Sequence, residues 1–304
     1  MFLPPARFVE DSSEMRRVWP LEESLAYTRW LATEHYENFH VVSFLLPKEL
    51  HQDFYNVYAF CRWADDLGDE IGDKQESLRL LSWWRGELNA MFGGITKHPV
   101  FVALAGTAAN KGLLIQPFDD LIRAFEQDQM VTRYQNWDEL YHYCQYSANP
   151  VGRLVLGLCG YHDETRYALS DATCTALQLA NFWQDVTVDL EKDRVYLPLN
   201  VLAKHGYSVD DLFAHRFDAR FAAAMKESVD VARELFLKGL PLADQVNRRL
   251  AIDLELFSRG GMKILDKIAQ QNYDVLGSRP AISKTERVGI LLSAIARRAF
   301  SRAA

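Results

Sequence analysis

The sequence predicts an all-α fold. Apolar residues recur at helical spacing in nearly every segment, runs of alternating β-branched residues are almost absent, and Pro, Gly, Asn and Ser punctuate the segment ends. Pro20 with Glu22 and Glu23 opens one helix, followed by apolar spacing through Leu25, Trp30 and Leu31. Pro47 sits at a first helical position ahead of a helix from Lys48 to about Glu70. Lys74 to Phe92 is amphipathic and stops at Gly93-Gly94. Helices follow over Val100–Asn110, with Gly112 beyond the end, and from Pro117 to about Met130. Asn136 with Glu139 reads as an N-cap and its reciprocal partner, and Asn149-Pro150 as a break inside a helical stretch. Thr165 to about Leu190 reads as one continuous helix, followed by long helices over Asp218–Lys238 and Pro241–Gln271. Ser283 and Glu286 form a capping box for a last helix ending near Phe300. Val41-Val42-Ser43-Phe44 could be extended, but it is short and lies between helices. No linker or repeat divides the chain, so the expectation is one all-α domain over residues 1–304.

Composition narrows the function. The chain is 49% hydrophobic and 25% charged with a net charge of −7, and no basic block is present, so nucleic acid is not an expected partner. Cys61, Cys144, Cys159 and Cys174 are scattered and read as small apolar residues, not as disulfides or a zinc site. The N-terminus lacks the pattern of a signal peptide, and no apolar run approaches the ~18 residues of a membrane span, which leaves peripheral contact with a bilayer open. No P-loop, dinucleotide fingerprint or nucleophile elbow occurs. Gly260-Gly261 lies in a helical context and reads as a packing or bending site.

Two acidic stretches carry the chemistry. Asp65 and Asp69, and again Asp185 and Asp189, stand four residues apart, which on a helix puts their Cβ atoms about 5–6 Å from each other. Like charges there repel, and both pairs fall late in their expected helices, where the macrodipole also disfavours anions. A cation between each pair would offset both costs, and Mg²⁺ held by carboxylates and a phosphate-bearing substrate fits. The alternative for each motif is a solvated acidic patch. Tyr55, Tyr58, Arg62, Asp66 and Asp69 share one stripe with Asp65 at its edge; Gln178, Asn181, Asp185 and Asp189 share another. Flanking Val57, Phe60, Leu177, Phe182 and Val186 point both stripes to a polar cavity instead of water. Arg194, in Asp193-Arg194-Val195-Tyr196-Leu197-Pro198, suits a diphosphate, although a surface arginine at a helix end is common. Tyr141, Tyr143 and Tyr146 are core aromatics or rings that stabilise a cation.

These motifs together resemble the squalene and phytoene synthase family, the trans-isoprenyl diphosphate head-to-head synthases, over essentially the whole chain. Tyr58-Ala59-Phe60-Cys61-Arg62 with Asp65-Asp66-Leu67-Gly68-Asp69 resembles the first aspartate-rich motif of that family. Gln178, Asn181, Asp185 and Asp189 with Arg194-Val195-Tyr196-Leu197-Pro198 resemble the second. Tyr143-Cys144, Asn38-Phe39 leading to Leu45-Leu46-Pro47, and Arg279 before Ser283-Lys284 also match. Within the family the chain looks most like the bacterial hopanoid branch, which forms hydroxysqualene. Gln184, Asn149-Pro150 and Gly261 depart from common members, which agrees better with an enzyme working on an already coupled intermediate.

The resemblance implies an isoprenoid-synthase helical bundle with a central active-site cavity. It implies two or three Mg²⁺ ions on Asp65, Asp69, Asp185 and Asp189, and no NADPH. It implies Tyr143 as the residue steering the cation. Asn38, Phe39, Tyr58, Arg62, Gln178, Asn181, Gln184, Arg194, Tyr196 and Arg279 then bind the substrate, with Gln184 and Asn149 as candidates to position the terminating water. The implied reaction is conversion of presqualene diphosphate to hydroxysqualene, in the cytoplasm or at the inner face of its membrane, linked to an enzyme that makes presqualene diphosphate. The alternatives are coupling of two farnesyl diphosphates and a helical lipid-binding scaffold without chemistry.

Overall fold

The computed structural model describes residues 2–34 and 47–300, and every regular element among them is helical. In chain order these are α1 (Pro5–Glu10), α2 (Ser12–Arg16), α3 (Leu21–Glu34), α4 (Lys48–Asp69), α5 (Lys74–Phe92), α6 (Pro99–Lys111) and α7 (Gln116–Asp128). Next come α8 (Trp137–Ser147), α9 (Asn149–Leu158), α10 (Glu164–Gln184), α11 (Val186–Glu191), α12 (Leu199–Lys204) and α13 (Val209–Phe213). The series closes with α14 (Ala219–Gly239), a 3₁₀ turn at Leu240–Asp244, α15 (Arg248–Gln270) and α16 (Lys284–Phe300). The extended alternative at Val41–Phe44 lies outside the described residues. By internal packing the chain forms two compact units, residues 1–130 with 150–163 and residues 131–149 with 164–304.

In the first unit, α4 turns Phe54, Val57, Phe60, Trp63 and Leu67 into a core shared with α3, α5, α6 and α7. Trp63 stacks on Trp84 at 4.9 Å, and His98 meets Trp63 edge-on at 4.3 Å. Burial keeps His98 neutral, with its pKa well below that of a free imidazole; its Nδ1 accepts from Val100 N and caps α6. Asn56, buried on the same side of α4, accepts from Thr28 Oγ1 at 2.6 Å and donates to Ala103 O at 3.1 Å. Satisfied polar groups of this kind fix α4 in rotation as well as in position, so its opposite face is presented in one orientation. At the helix end, Gln129 Nε2 donates to Gly68 O at 2.9 Å, satisfying a terminal carbonyl.

In the second unit, α10 packs along α14 and against α15 and α8. Trp183 anchors the seam, donating from Nε1 to Ser228 O at 3.1 Å. Two glycines permit close approach. A Cβ at Gly239 would lie 2.1 Å from Thr173 Oγ1 and 3.0 Å from Leu169 O, and one at Gly261 would lie 2.2 Å from Phe236 Cζ. Gly261 is therefore a packing residue, as its helical context suggests.

Two boundaries differ from the sequence reading. The helix expected to run from Thr165 to Leu190 breaks at Asp185, which leaves helical geometry at φ −106°, ψ 16° and starts α11. The Asp189 N to Asp185 O bond, 2.9 Å, carries helical spacing through this single residue. The second aspartate pair thus stands at a helix start, where the macrodipole cost expected for it does not apply. The expected Pro241–Gln271 helix is likewise a 3₁₀ turn and then α15, because Asn247 Oδ1 accepts from Arg249 N and Leu250 N and begins a new helix. The Ser283–Glu286 capping box forms as expected, with Ser283 N donating to Glu286 Oε2 at 2.9 Å. At Asn136 the cap forms, but Glu139 accepts from Gln135 N in place of the cap residue's own amide.

Gly239→Ala should destabilise the protein by about 1–3 kcal/mol, the usual cost of forcing extra volume into a packed seam. Chemical denaturation measures this directly, and an unchanged midpoint would show that α14 can lift off Thr173 at no cost.

Candidate active site

The outward face of α4 carries the first cluster. Tyr58, Arg62, Asp65 and Asp69 occupy it, with Asp65 half-buried and Asp69 exposed as the last residue of the helix. Asp66 leaves the stripe assigned to it: it is buried and ion-paired to Arg62 Nη2, while Arg62 Nη1 lies 3.4 Å from Asp65 Oδ2. Burial pushes Asp66 up to about 6, with Arg62 opposing the shift. Arg62 is held at the carboxylates by Asp66 from below, and its buried Nε has no hydrogen-bond partner among the described residues. A guanidinium so placed keeps donors for an anion.

The second cluster lies at the α10–α11 junction. Gln178 is half-buried, Asn181 is exposed, and Asp185 and Asp189 are half-buried, so this stripe is accessible. Arg279 Nε donates to Asp185 Oδ1 in a short ion pair. Gln184 Nε2 donates to Pro280 O at 2.7 Å, tying down the segment that delivers Arg279. Asn149, also considered for holding water, is buried and accepts from Thr175 Oγ1 at 2.9 Å. Both amides thus serve as braces.

Residues 193–200 are fixed by backbone bonds to residues 132–135. Val195 N donates to Thr132 O and Leu199 N to Tyr134 O, each at 2.9 Å. Arg133 pairs with Asp193 at 2.6 Å. Arg194 N donates to Asp189 O at 2.8 Å, and Asp189, Arg194, Phe182 and Tyr196 line one crevice. Behind it stands an aromatic wall. Phe182 stacks on Tyr196 at 3.6 Å, and buried Tyr143 lies 6.0 Å from Tyr196 and 5.4 Å from Tyr134. Aromatic rings carry negative faces of the kind that can stabilise a cation, and here Phe182 and Tyr196 turn theirs on each other.

The structure thus brings Tyr58, Arg62, Asp65 and Asp69 together in one unit. In the other it gathers Tyr143, Asp185, Asp189, Arg194, Tyr196 and Arg279, with Gln178 and Asn181 on the same stripe and Gln184 behind. Asn38 and Phe39 lie outside the described residues. Among those residues no group of three or more His, Cys, Asp or Glu side chains is gathered as a metal site. Each cluster offers two carboxylates with no thiol or imidazole, the hard oxygen donors that Mg²⁺ takes together with water and substrate phosphate.

Against known proteins, the squalene/phytoene synthase family model matches residues 32–286. The chain belongs to this family. Its fold is the family's all-α isoprenoid synthase fold, and its activity class is that of enzymes acting on prenyl diphosphates. The chain is 32% identical to the hydroxysqualene synthase of Zymomonas mobilis over 272 residues, 87% of this chain and 89% of that one. It is 31% identical to the 15-cis-phytoene synthase of Synechococcus elongatus, over 87% and 90% of the two chains. Among solved structures, the squalene synthase HpnC of Alicyclobacillus acidocaldarius superposes with a TM-score of 0.80 at 44% identity, covering 83% of this chain and 95% of that one.

Two features escaped the sequence reading. Tyr134 joins the aromatic wall from outside the tyrosine run. Asp253 on α15 is 1% exposed, and neither carboxyl oxygen has a hydrogen-bond partner among the described residues. A charged residue inside Leu250-Ala251-Ile252-Asp253-Leu254 was its only signal. Burial alone pushes its pKa up to about 8. The folded chain therefore keeps a proton that the unfolded chain loses near pH ~4, and stability falls as pH rises from there to about 8. Asp253→Leu should be more stable than the parent at pH 8 and flatten this decline. Urea unfolding at several pH values tests it; an identical pH slope in both proteins would contradict the assignment.

Proposed function

We propose that the chain converts presqualene diphosphate to hydroxysqualene and diphosphate. The observation that carries this reading is the crevice in which Asp189 and Arg194 adjoin the stacked rings of Phe182 and Tyr196. The crevice itself is only about 10 Å³, the room of a single water; what suits a departing diphosphate beside a carbocation is charged side chains set next to aromatic ones. The identities to the Alicyclobacillus squalene synthase and the Zymomonas hydroxysqualene synthase support the choice of substrate.

In this reading the carbon–oxygen bond to the diphosphate breaks with both electrons leaving on oxygen. The cation rearranges against the aromatic wall, with Tyr143 steering it, and water adds with loss of one proton. Mg²⁺ bound by Asp65, Asp69, Asp185 and Asp189 would supply the charge that makes diphosphate a good leaving group. Arg62, Arg194 and Arg279 add fixed positive charge. Tyr58, Gln178, Asn181 and Tyr196 contact the substrate, and Gln184 holds the Arg279 segment in place. Each unit brings one carboxylate pair able to hold Mg²⁺ together with diphosphate oxygens. No nicotinamide is needed because the cation ends on water, not hydride. The substrate comes from an enzyme that couples two prenyl diphosphates, and the protein works at the cytoplasmic face of a membrane. The phytoene synthase identity of 31% favours a second reading, direct coupling of two prenyl diphosphates.

Product analysis separates the two. With Mg²⁺, presqualene diphosphate should yield hydroxysqualene without NADPH, and farnesyl diphosphate should not be consumed. Squalene released only with NADPH, or a coupled product from farnesyl diphosphate alone, would overturn the assignment. Tyr143→Phe should lower kcat about tenfold or redistribute products with KM little changed, because its effect lies in the transition state. An unchanged rate and product would reduce Tyr143 to a core ring.

A further inference from the structure

Helix α16 is amphipathic in the wrong sense for a helix that only packs on its own fold. Its inward side is held largely by polar groups: Glu286 pairs with Lys267 at 2.9 Å and Lys263 at 3.4 Å, and Ser293 accepts from Arg259 at 3.4 Å. Ala294 is buried on that side, and Ile290 lines a cleft there beside Arg259. The opposite side carries Val288, Leu292 and Ile295, four and three residues apart and so on one face. They are 55%, 61% and 36% exposed. A surface helix normally turns its apolar stripe to the core, and apolar side chains contiguous on one exposed face mark an interaction site.

Charge identifies the occupant. From residue 284 to the end of the sequence stand Lys284, Arg287, Arg297, Arg298 and Arg302 against the single acid Glu286, in a chain whose net charge is −7. Lys284 and Arg287 are exposed, and Glu286 is occupied by the two lysines of α15. A basic helix with an outward apolar stripe is built to lie in the headgroup region of an anionic bilayer. A second copy of this chain docked symmetrically through the same face would set two basic helices against each other, like charge on like.

We propose that α16 docks the protein on anionic lipid bilayers, inserting Val288, Leu292 and Ile295 while Lys284 and Arg287 meet lipid phosphates. No described helix is long and apolar enough to cross a membrane, so the attachment is peripheral and reversible. The inference extends the proposed function by giving a water-insoluble C30 product a direct route into lipid, but its test uses no substrate. Its failure therefore leaves the reaction untouched, and failure of the reaction leaves the docking untouched.

The experiment is co-sedimentation of the purified protein with vesicles of phosphatidylcholine alone and with vesicles containing phosphatidylglycerol. The wild type should bind the anionic vesicles, and bind them less as salt is added. Leu292→Glu should bind at least about tenfold more weakly, given the apolar area it removes, and Arg287→Glu at least about fivefold more weakly. Leu292→Gln separates loss of the apolar contact from added negative charge and should also weaken binding. All three sites are exposed, and circular dichroism verifies that the variants stay folded. Equal binding by wild type and Leu292→Glu, equal binding to neutral and anionic vesicles, or no vesicle binding at all would overturn the proposal. So would a dimer, seen by sedimentation velocity, that Leu292→Glu dissociates while vesicle binding is unaffected.

Discussion

Two carboxylates four residues apart on one helical surface repel, and in this protein each such pair is shadowed by an arginine. Arg62 reaches Asp65 and Asp66 in one unit, and Arg279 holds Asp185 in the other. The solvent-accessible Arg62–Asp65 and Arg279–Asp185 pairs contribute little to stability. Their consequence is geometric: within each unit the acids and their arginine are fixed beside one another. The surrounding framework serves that placement. Asn56 and Trp63 lock the rotation of α4, while Gln184 and the seam between residues 132–135 and 193–200 position Arg279, Arg194 and Tyr196.

Local chemistry was legible wherever it was written locally. The start of α5 follows from Asp73, which caps it, and its end from Gly93, and the α16 start from Ser283 and Glu286. The aspartate pairs and the arginines beside them stand out because their spacing has no use in a packed core. What the sequence hid falls into two kinds. Asp185 interrupts a helix without proline or glycine, keeping the hydrogen bond from Asp189, so the apolar period runs through the break unchanged. Other features depend on partners far along the chain: Asp185 meets Arg279, Tyr134 meets Tyr143 and Tyr196, and Asp253 is buried by neighbours that periodicity does not name. The helices α1 and α2 were readable from Pro5 and from Asp11 with Glu14, but each is too short to show a hydrophobic period.

The family assignment and the site geometry act at different levels. Membership fixes the fold and the class of substrate, and relatives with different products share similar identities with this chain. In the proposed reaction, discrimination among products rests on the aromatic group of Tyr134, Tyr143, Phe182 and Tyr196. On that proposal a residue that changes product acts through the shape and charge of this wall, whereas the carboxylates act on departure of the diphosphate.

The central claim is that each aspartate pair binds Mg²⁺ together with diphosphate. Calorimetric titration of Mg²⁺ in the presence of inorganic diphosphate tests it most directly, on wild type, Asp65→Asn and Asp185→Asn. The claim predicts that each substitution weakens binding at least about tenfold, about 1.4 kcal/mol. Binding that is unchanged in either variant would contradict it.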